Sequence, residues 1–138
     1  MKELLRQLCQ LDGVAGYEDE VRAFIEEQAR PFADELFTDA LGSLFVFKKG
    51  EKPRRRPMMV CATKEETGFD GGLINAYKVH PDYAIAVDVT HARTGDAPQV
   101  CAKLGDGAIL SIGSNSLPRL AKKAMEVARA KEIPHLAE

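Results

Sequence analysis

Residues 58–91 read Met58-Met59-Val60-Cys61-Ala62-Thr63-Lys64-Glu65-Glu66-Thr67-Gly68-Phe69-Asp70-Gly71-Gly72-Leu73-Ile74-Asn75-Ala76-Tyr77-Lys78-Val79-His80-Pro81-Asp82-Tyr83-Ala84-Ile85-Ala86-Val87-Asp88-Val89-Thr90-His91. The rhythm is strand, helix, strand. Met58 to Ala62 is a short apolar run, Gly68, Gly71 and Gly72 loosen the chain before a modest helix over roughly 69–78, and His80-Pro81-Asp82 stops it. Tyr83 to Val87 then has the composition of a buried strand, ending in Asp88-Val89-Thr90-His91. Such a unit predicts a parallel strand pair joined by a right-handed crossover. The expected class is therefore α/β, three layers α/β/α around a mostly parallel sheet.

Working towards the N-terminus, six basic residues (Lys48, Lys49, Lys52, Arg54, Arg55, Arg56) surround Gly50 and Pro53. Residues 48–56 carry 6 basic groups and 1 acidic group, whereas residues 1–47 carry 4 and 10. The basic excess is thus one turn-rich linker without aromatic residues, too narrow for a nucleic-acid face. It reads as a solvated loop or a contact surface. Before it, 35–40 and 43–48 are two extended segments joined at Leu41-Gly42, and Phe45-Val46-Phe47 is continuous enough to imply burial on both faces. Leu4, Leu5, Leu8 and Leu11 mark a first helix, and Gly13 and Gly16 break it. Val21, Phe24, Ile25, Ala29 and Phe32 stripe a second, with Glu18, Asp19 and Glu20 at its electropositive start.

Towards the C-terminus, a strand is expected over Ala108 to Ile112. A last helix follows, with Ser116 as N-cap, Pro118 in its first turn and Leu117, Leu120, Ala121, Ala124 and Ala128 inward. Pro134 ends it, and His135-Leu136-Ala137-Glu138 looks like the opening of another strand. The 138 residues, 45% hydrophobic and 29% charged, suit one domain that needs no disulfide or structural metal to fold. The three cysteines, Cys9, Cys61 and Cys101, form no Cys-x-x-Cys, and no secretory leader or apolar run of ~20 residues precedes or spans them. Reduced thiols in a cytoplasmic protein, with neither membrane nor nucleic acid as partner, are the expectation.

Two features can carry chemistry. Glu65-Glu66 lies in the loop leaving one strand, and Asp88 ends the next; in an open parallel sheet both would sit outside the carboxyl ends of the strands. Three carboxylates meeting there could hold a divalent cation and leave one as a base towards bound water. Adjacent glutamates in a polar loop are also commonly just solvated, and a strand-end aspartate is satisfied as well by a helix N-terminus as by a metal. His80, His91 and His135 follow no ligand spacing beyond Asp88-x-x-His91, and there is no Gly-x-Ser-x-Gly. Cys61, inside an apolar strand, reads as packing.

At these residues the chain resembles the glutamyl-aminopeptidase-like cocatalytic metallopeptidases, which include the tetrahedral aminopeptidases and relatives described as endoglucanases. Leu8-Cys9-Gln10-Leu11-Asp12-Gly13-Val14-Ala15-Gly16-Tyr17-Glu18 is similar to the family's first helix and glycine turn. The resemblance resumes at Ala62-Thr63-Lys64-Glu65-Glu66-Thr67-Gly68 and continues through Pro81 to Ala92, Gly95-Asp96-Ala97-Pro98 and Leu104-Gly105-Asp106-Gly107. It implies the reduced core of a zinc-peptidase-like catalytic domain, with Glu65 as general base and Glu66 and Asp88 as ligands to two different metals, zinc or cobalt. A peptide would be the substrate.

The resemblance also implies absences. The family's strand ending Ala-His-x-Asp-Glu, its inserted dimerisation domain and its metal-bridging aspartate would fall between the basic linker and Thr63, where this sequence runs straight through Met58 to Ala62. The second histidine ligand would lie beyond residue 138. Of five protein ligands only Glu66 and Asp88 remain, fewer than the roughly three a catalytic metal needs. The expectation is a single truncated catalytic-type domain over 1–138, produced by an internal deletion that joins two strands ending in alanine. It would be weakly active or inactive alone. The alternative is a non-catalytic remnant that self-associates or binds a full-length relative through an exposed sheet edge.

Overall fold

The computed structural model describes residues 2–52, 56–96 and 102–137. Pro53, Arg54 and Arg55 of the basic linker, Cys101 and the Ala97-Pro98 pair lie outside them. The chain divides into two compact units, Met1–Ala84 and Ile85–Glu138.

The first unit carries helix α1 (Lys2–Leu8), helix α2 (Asp19–Ala29) continued by a 3-10 turn over Arg30–Phe32, strands β1 (Glu35–Thr38), β2 (Leu44–Phe47) and β3 (Met58–Cys61), and helix α3 (Asp70–Val79). The sheet order is β1-β2-β3. Both pairings are antiparallel, with Leu36 opposite Val46 and Val46 opposite Met59. The continuous apolar reading of β2 is explained by its central place: Leu44 and Phe45 are fully buried and Phe47 nearly so.

Alternation along the strands assigns the faces. Leu36, Val46 and Met59 share the face on which α2 lies, where Ile25, Ala29 and Phe32 of the helix and its 3-10 turn line an apolar groove with Val46, Met58 and Met59. Phe37 and Phe45 occupy the other face, their rings stacked at 4.6 Å, and Lys78 of α3 places its Nζ 5.2 Å from the Phe45 ring centroid. The turn between β1 and β2 is knotted by Asp39, whose Oδ1 accepts the backbone N–H groups of Leu41, Gly42 and Ser43 at 2.9–3.0 Å.

Within the second unit, β4 (Ala108–Leu110) and β5 (His135–Ala137) pair in parallel around helix α4 (Pro118–Ala130). The strand expected after Pro134 is therefore formed. Gly107, at φ +105, lies so close to the chain that a β-carbon would sit 2.1 Å from the Pro134 carbonyl oxygen.

Three expectations fail. The sheet is not mostly parallel: the three-stranded sheet is antiparallel and only β4-β5 is parallel. An apolar run such as Met58–Cys61 looks the same in either pairing, and here the nearest partner is the hairpin strand β2. The run 83–87 forms no strand at all. Tyr83, Ile85, Val87 and Val89 are 68, 76, 90 and 92% exposed, and their segment pairs with no described strand. A fully apolar strand exists only between neighbours that hydrogen-bond to it and cover it. Finally, Leu117 rather than Ser116 is the N-cap of α4; the Ser116 hydroxyl bonds to its own loop, donating to the Ser111 carbonyl and accepting from Gly113 N–H. No helix among the described residues is long and apolar enough to cross a membrane.

In the first unit, the closest approach joins α3 to the corner after β3. A β-carbon on Gly71 would lie 2.2 Å from the Thr63 carbonyl oxygen, whereas one on Gly72 would meet nothing within 4 Å. Gly71→Ala is expected to destabilise the chain by about 2 kcal/mol or more, and Gly72→Ala to be neutral or stabilising by up to about 1 kcal/mol, as helix propensity dictates. Urea midpoints of the two variants measure this; equal midpoints would refute the close approach.

Candidate functional site

β3 ends at Cys61, and the next residues form a corner. Thr63 is 4% exposed, and its N–H donates to Ser43 Oγ at 3.3 Å. The same oxygen accepts Asn75 Nδ2 of α3 at 3.3 Å, so one buried hydroxyl joins sheet, corner and helix. Asn75 Oδ1 is buried without a hydrogen bond from any described residue.

Lys64 follows with φ 55 and ψ 30, the left-handed conformation that residues with a β-carbon rarely adopt. Glu65, Glu66 and Thr67 then make a single 3-10 turn, closed by Gly68 N–H donating to the Glu65 carbonyl at 3.3 Å. Both glutamate side chains are exposed, and no described residue hydrogen-bonds to either carboxylate. The sequence places the pair correctly, in a loop just after a strand. What it does not reveal is what sets that loop.

Glu18 does. Its Oε1 accepts Gly16 N–H at 2.8 Å and Lys64 N–H at 2.9 Å, and its Oε2 accepts the Thr63 hydroxyl at 2.7 Å. Gly16 stands at φ +86 in a turn closed by Tyr17 N–H on the Val14 carbonyl, a conformation suited to glycine. Burial pushes the Glu18 carboxyl up, but the Lys64 and Gly16 amides and the Thr63 hydroxyl outweigh it and lower its pKa from 4.5 to about 2. In the sequence Glu18 is one of three anions at a helix start. The signal that distinguishes it is the glycine turn directly before it.

Asp88 belongs to the second unit. It is exposed, outside any strand, with its Oδ1 accepting the Val89 N–H at 2.7 Å. The expectation of a carboxylate at the edge of a buried strand is thus overturned, because that strand is not formed. The histidines bring no ligand set either. His80 is the left-handed C-cap of α3, His91 is exposed, and His135 places Nδ1 2.9 Å from the Ile133 carbonyl. Among the described residues no three His, Cys, Asp or Glu side chains gather as a cation site. Two exposed neighbouring carboxylates on one turn do not fit a catalytic metal, which takes about three protein ligands and an open position. Cys9 and Cys61 are free thiols, and burial raises the pKa of Cys61. In the linker, Lys48 pairs with Asp34 at 3.4 Å and Arg56 stacks 5.1 Å above the Phe47 ring.

The Glu18 arrangement has a pH signature. A carboxyl held at about 2 when folded and near 4.5 when unfolded adds stability that is complete above about pH 4.5 and is lost as pH falls towards 2. Asp34, lowered chiefly by the Lys49 N–H, adds to the same acid window. In chemical denaturation at stepped pH, Glu18→Gln is expected to show a shallower acid slope than the unsubstituted chain, with Asp34 common to both. Identical slopes would contradict the hydrogen-bond geometry.

The M42 glutamyl aminopeptidase family matches residues 42–138. A lysyl aminopeptidase of Pyrococcus furiosus is 35% identical over 77 residues, which cover 55% of this chain and 22% of that protein. The chain spans only about a fifth of the curated relatives it matches, 18–22% of their lengths. In fold, it is similar to the crystal structure of a TET aminopeptidase from a marine sediment archaeon of the Thaumarchaeota, with a TM-score of 0.83 at 15% identity over 99% of this chain and 80% of that one. With mixed α/β architecture and a family match over more than half of the sequence, the chain belongs to the M42 glutamyl aminopeptidase family.

Proposed function

We propose that this chain is a catalytically weakened member of the metal-dependent aminopeptidases, whose reaction is removal of N-terminal residues from peptides. The observation that carries the reading is the contrast between the ordered Glu65–Glu66 turn and the lack, among described residues, of any cluster of three metal-ligating side chains. Glu65 is the general base, an exposed carboxylate able to take a proton from an attacking water. Glu66 and Asp88 would each be a ligand to a different metal, zinc or cobalt, and one carboxylate apiece falls short of the roughly three protein ligands that a catalytic metal takes. With no cluster of three ligating side chains among the described residues, hydrolysis by the chain alone is slow or absent.

The proposed cause is an internal deletion that removed the inserted dimerisation domain and the segment bearing the first histidine. The direct run from Pro57 through β3 into a buried Thr63 supports this, because the shortened chain closes there without a loop. The exposed Tyr83–Val89 segment supports it too, as a strand whose neighbours are missing. The free thiols Cys9 and Cys61 suit a cytoplasmic setting.

A second reading is favoured by that same exposed segment and by β3, whose outer edge pairs with no described strand. In it the chain is an interaction module that self-associates or binds a full-length relative. Sedimentation velocity separates the two; a strict monomer that a full-length relative does not retain removes the second.

For the first reading, purified chain is expected to contain less than one equivalent of metal and to hydrolyse aminoacyl-anilides, with zinc or cobalt added, far more slowly than a full-length relative. Any hydrolysis should fall about 10²–10⁴-fold in Glu65→Gln, the usual cost of losing a general base. Turnover matching the relative, or unaffected by Glu65→Gln, would sink it.

A further inference from the structure

We propose that Glu18 is the positioning residue of the Glu65–Glu66 turn: its carboxylate fixes the Thr63–Lys64 corner from which both glutamates emerge, without help from a metal. This rests on the preceding reading only in taking Glu65 and Glu66 as the chemical residues.

Three observations carry it. First, the corner needs holding. Lys64 stands in the left-handed region immediately before the 3-10 turn, a conformation that persists only when its surroundings impose it. The turn itself supplies little, a Gly68-to-Glu65 bond of 3.3 Å and a 3.5 Å contact from the Thr67 hydroxyl to the Lys64 carbonyl. Neither fixes the direction in which Lys64 enters.

Second, Glu18 holds the entry side from far away in sequence. It receives the Lys64 N–H across 46 residues and the Thr63 hydroxyl across 45, with both carboxylate oxygens engaged. Hydrogen bonds to an ionised acceptor are about twice as strong as neutral ones. The Gly16 N–H anchors the same carboxylate from behind, and Lys64 packs its side chain over that glycine, where a β-carbon would come within 3.3 Å.

Third, the simpler role is not being performed. Glu18 is the N-cap residue of α2, yet its side chain makes no capping hydrogen bond to that helix. An anion at a helix start ordinarily spends its oxygens on the helix's own first amides. Here they are turned to the corner that leads into Glu65.

Amide hydrogen exchange and ¹⁵N–¹H spectra of the full chain with EDTA present test the idea. Glu18→Ala is expected to speed exchange of the Lys64 amide about tenfold or more and to shift the Glu65 and Glu66 amides, with β1–β3 amides unchanged. Glu18→Gln, which keeps an acceptor oxygen for Lys64 and Gly16, should recover most of that protection. If Glu18→Ala does not fold, Thr63→Val removes one donor and should produce a smaller shift confined to residues 64–66. The proposal is overturned by unchanged Lys64 exchange in Glu18→Ala, by a loss spread evenly over the sheet, or by unmoved Glu65 and Glu66 amides in Thr63→Val. Because these signals need neither metal nor turnover, hydrolysis that survives Glu65→Gln alongside them removes the base assignment and keeps the clamp.

Discussion

A partly buried carboxylate is stabilised by the donors around it, and Glu18 draws the glycine turn, its own helix and the corner after β3 to one point. Other parts of the first unit follow from that knot. Thr63, held on one side by Glu18, reaches Ser43 on the other, and Ser43 in turn receives Asn75 of α3. The approach of α3 is close enough that only glycine fits at position 71. A chain of polar contacts thus runs from the helix α2 start, through the sheet end, to the helix on the opposite face. It lies where an apolar core would be too thin to specify direction, since the fully buried large apolar side chains are only Leu44 and Phe45 among the described residues.

This organisation separates two things that a peptidase normally has together. The turn bearing Glu65 and Glu66 is built from contacts internal to the first unit. Asp88 is carried by the second unit on a segment with no secondary structure. The bonds that shape the turn, those from Glu18 to its entry, are thus distinct from any donors that a cation would require.

How much of this was legible in the sequence depended on the range of the interaction responsible. Helices α1, α2 and α3 follow from local apolar spacing and from stops such as His80-Pro81; α3 forms within a residue of the expected 69–78, whereas α1 ends at Leu8, short of Leu11, and α2 gives way to a 3-10 turn before Phe32. The β1–β2 hairpin follows from Leu41-Gly42, although the knot itself is tied by Asp39. Strand direction was not legible, because the Met58–Cys61 run carries no mark of parallel or antiparallel pairing. Neither was the fate of Tyr83–Val87, whose residues state a need for neighbours but not whether neighbours exist. The Glu65–Glu66 pair was visible as adjacent carboxylates in a post-strand loop. Glu18 was hidden among the acids at a helix start, since its partners lie 45 and 46 residues away.

The uncovered stretch from Tyr83 to Val89 has a consequence for solubility. Seven residues alternating aromatic or β-branched side chains with two alanines and an aspartate, free of proline and glycine, have nearly the composition of strands that stack into cross-β fibrils with dry interdigitated faces. Asp88 is the one charge within it. In a parallel in-register stack that carboxylate would face its own copy at about every 4.8 Å, an arrangement that repels at neutral pH. Asp88 is thus the residue in this stretch whose charge would oppose such stacking.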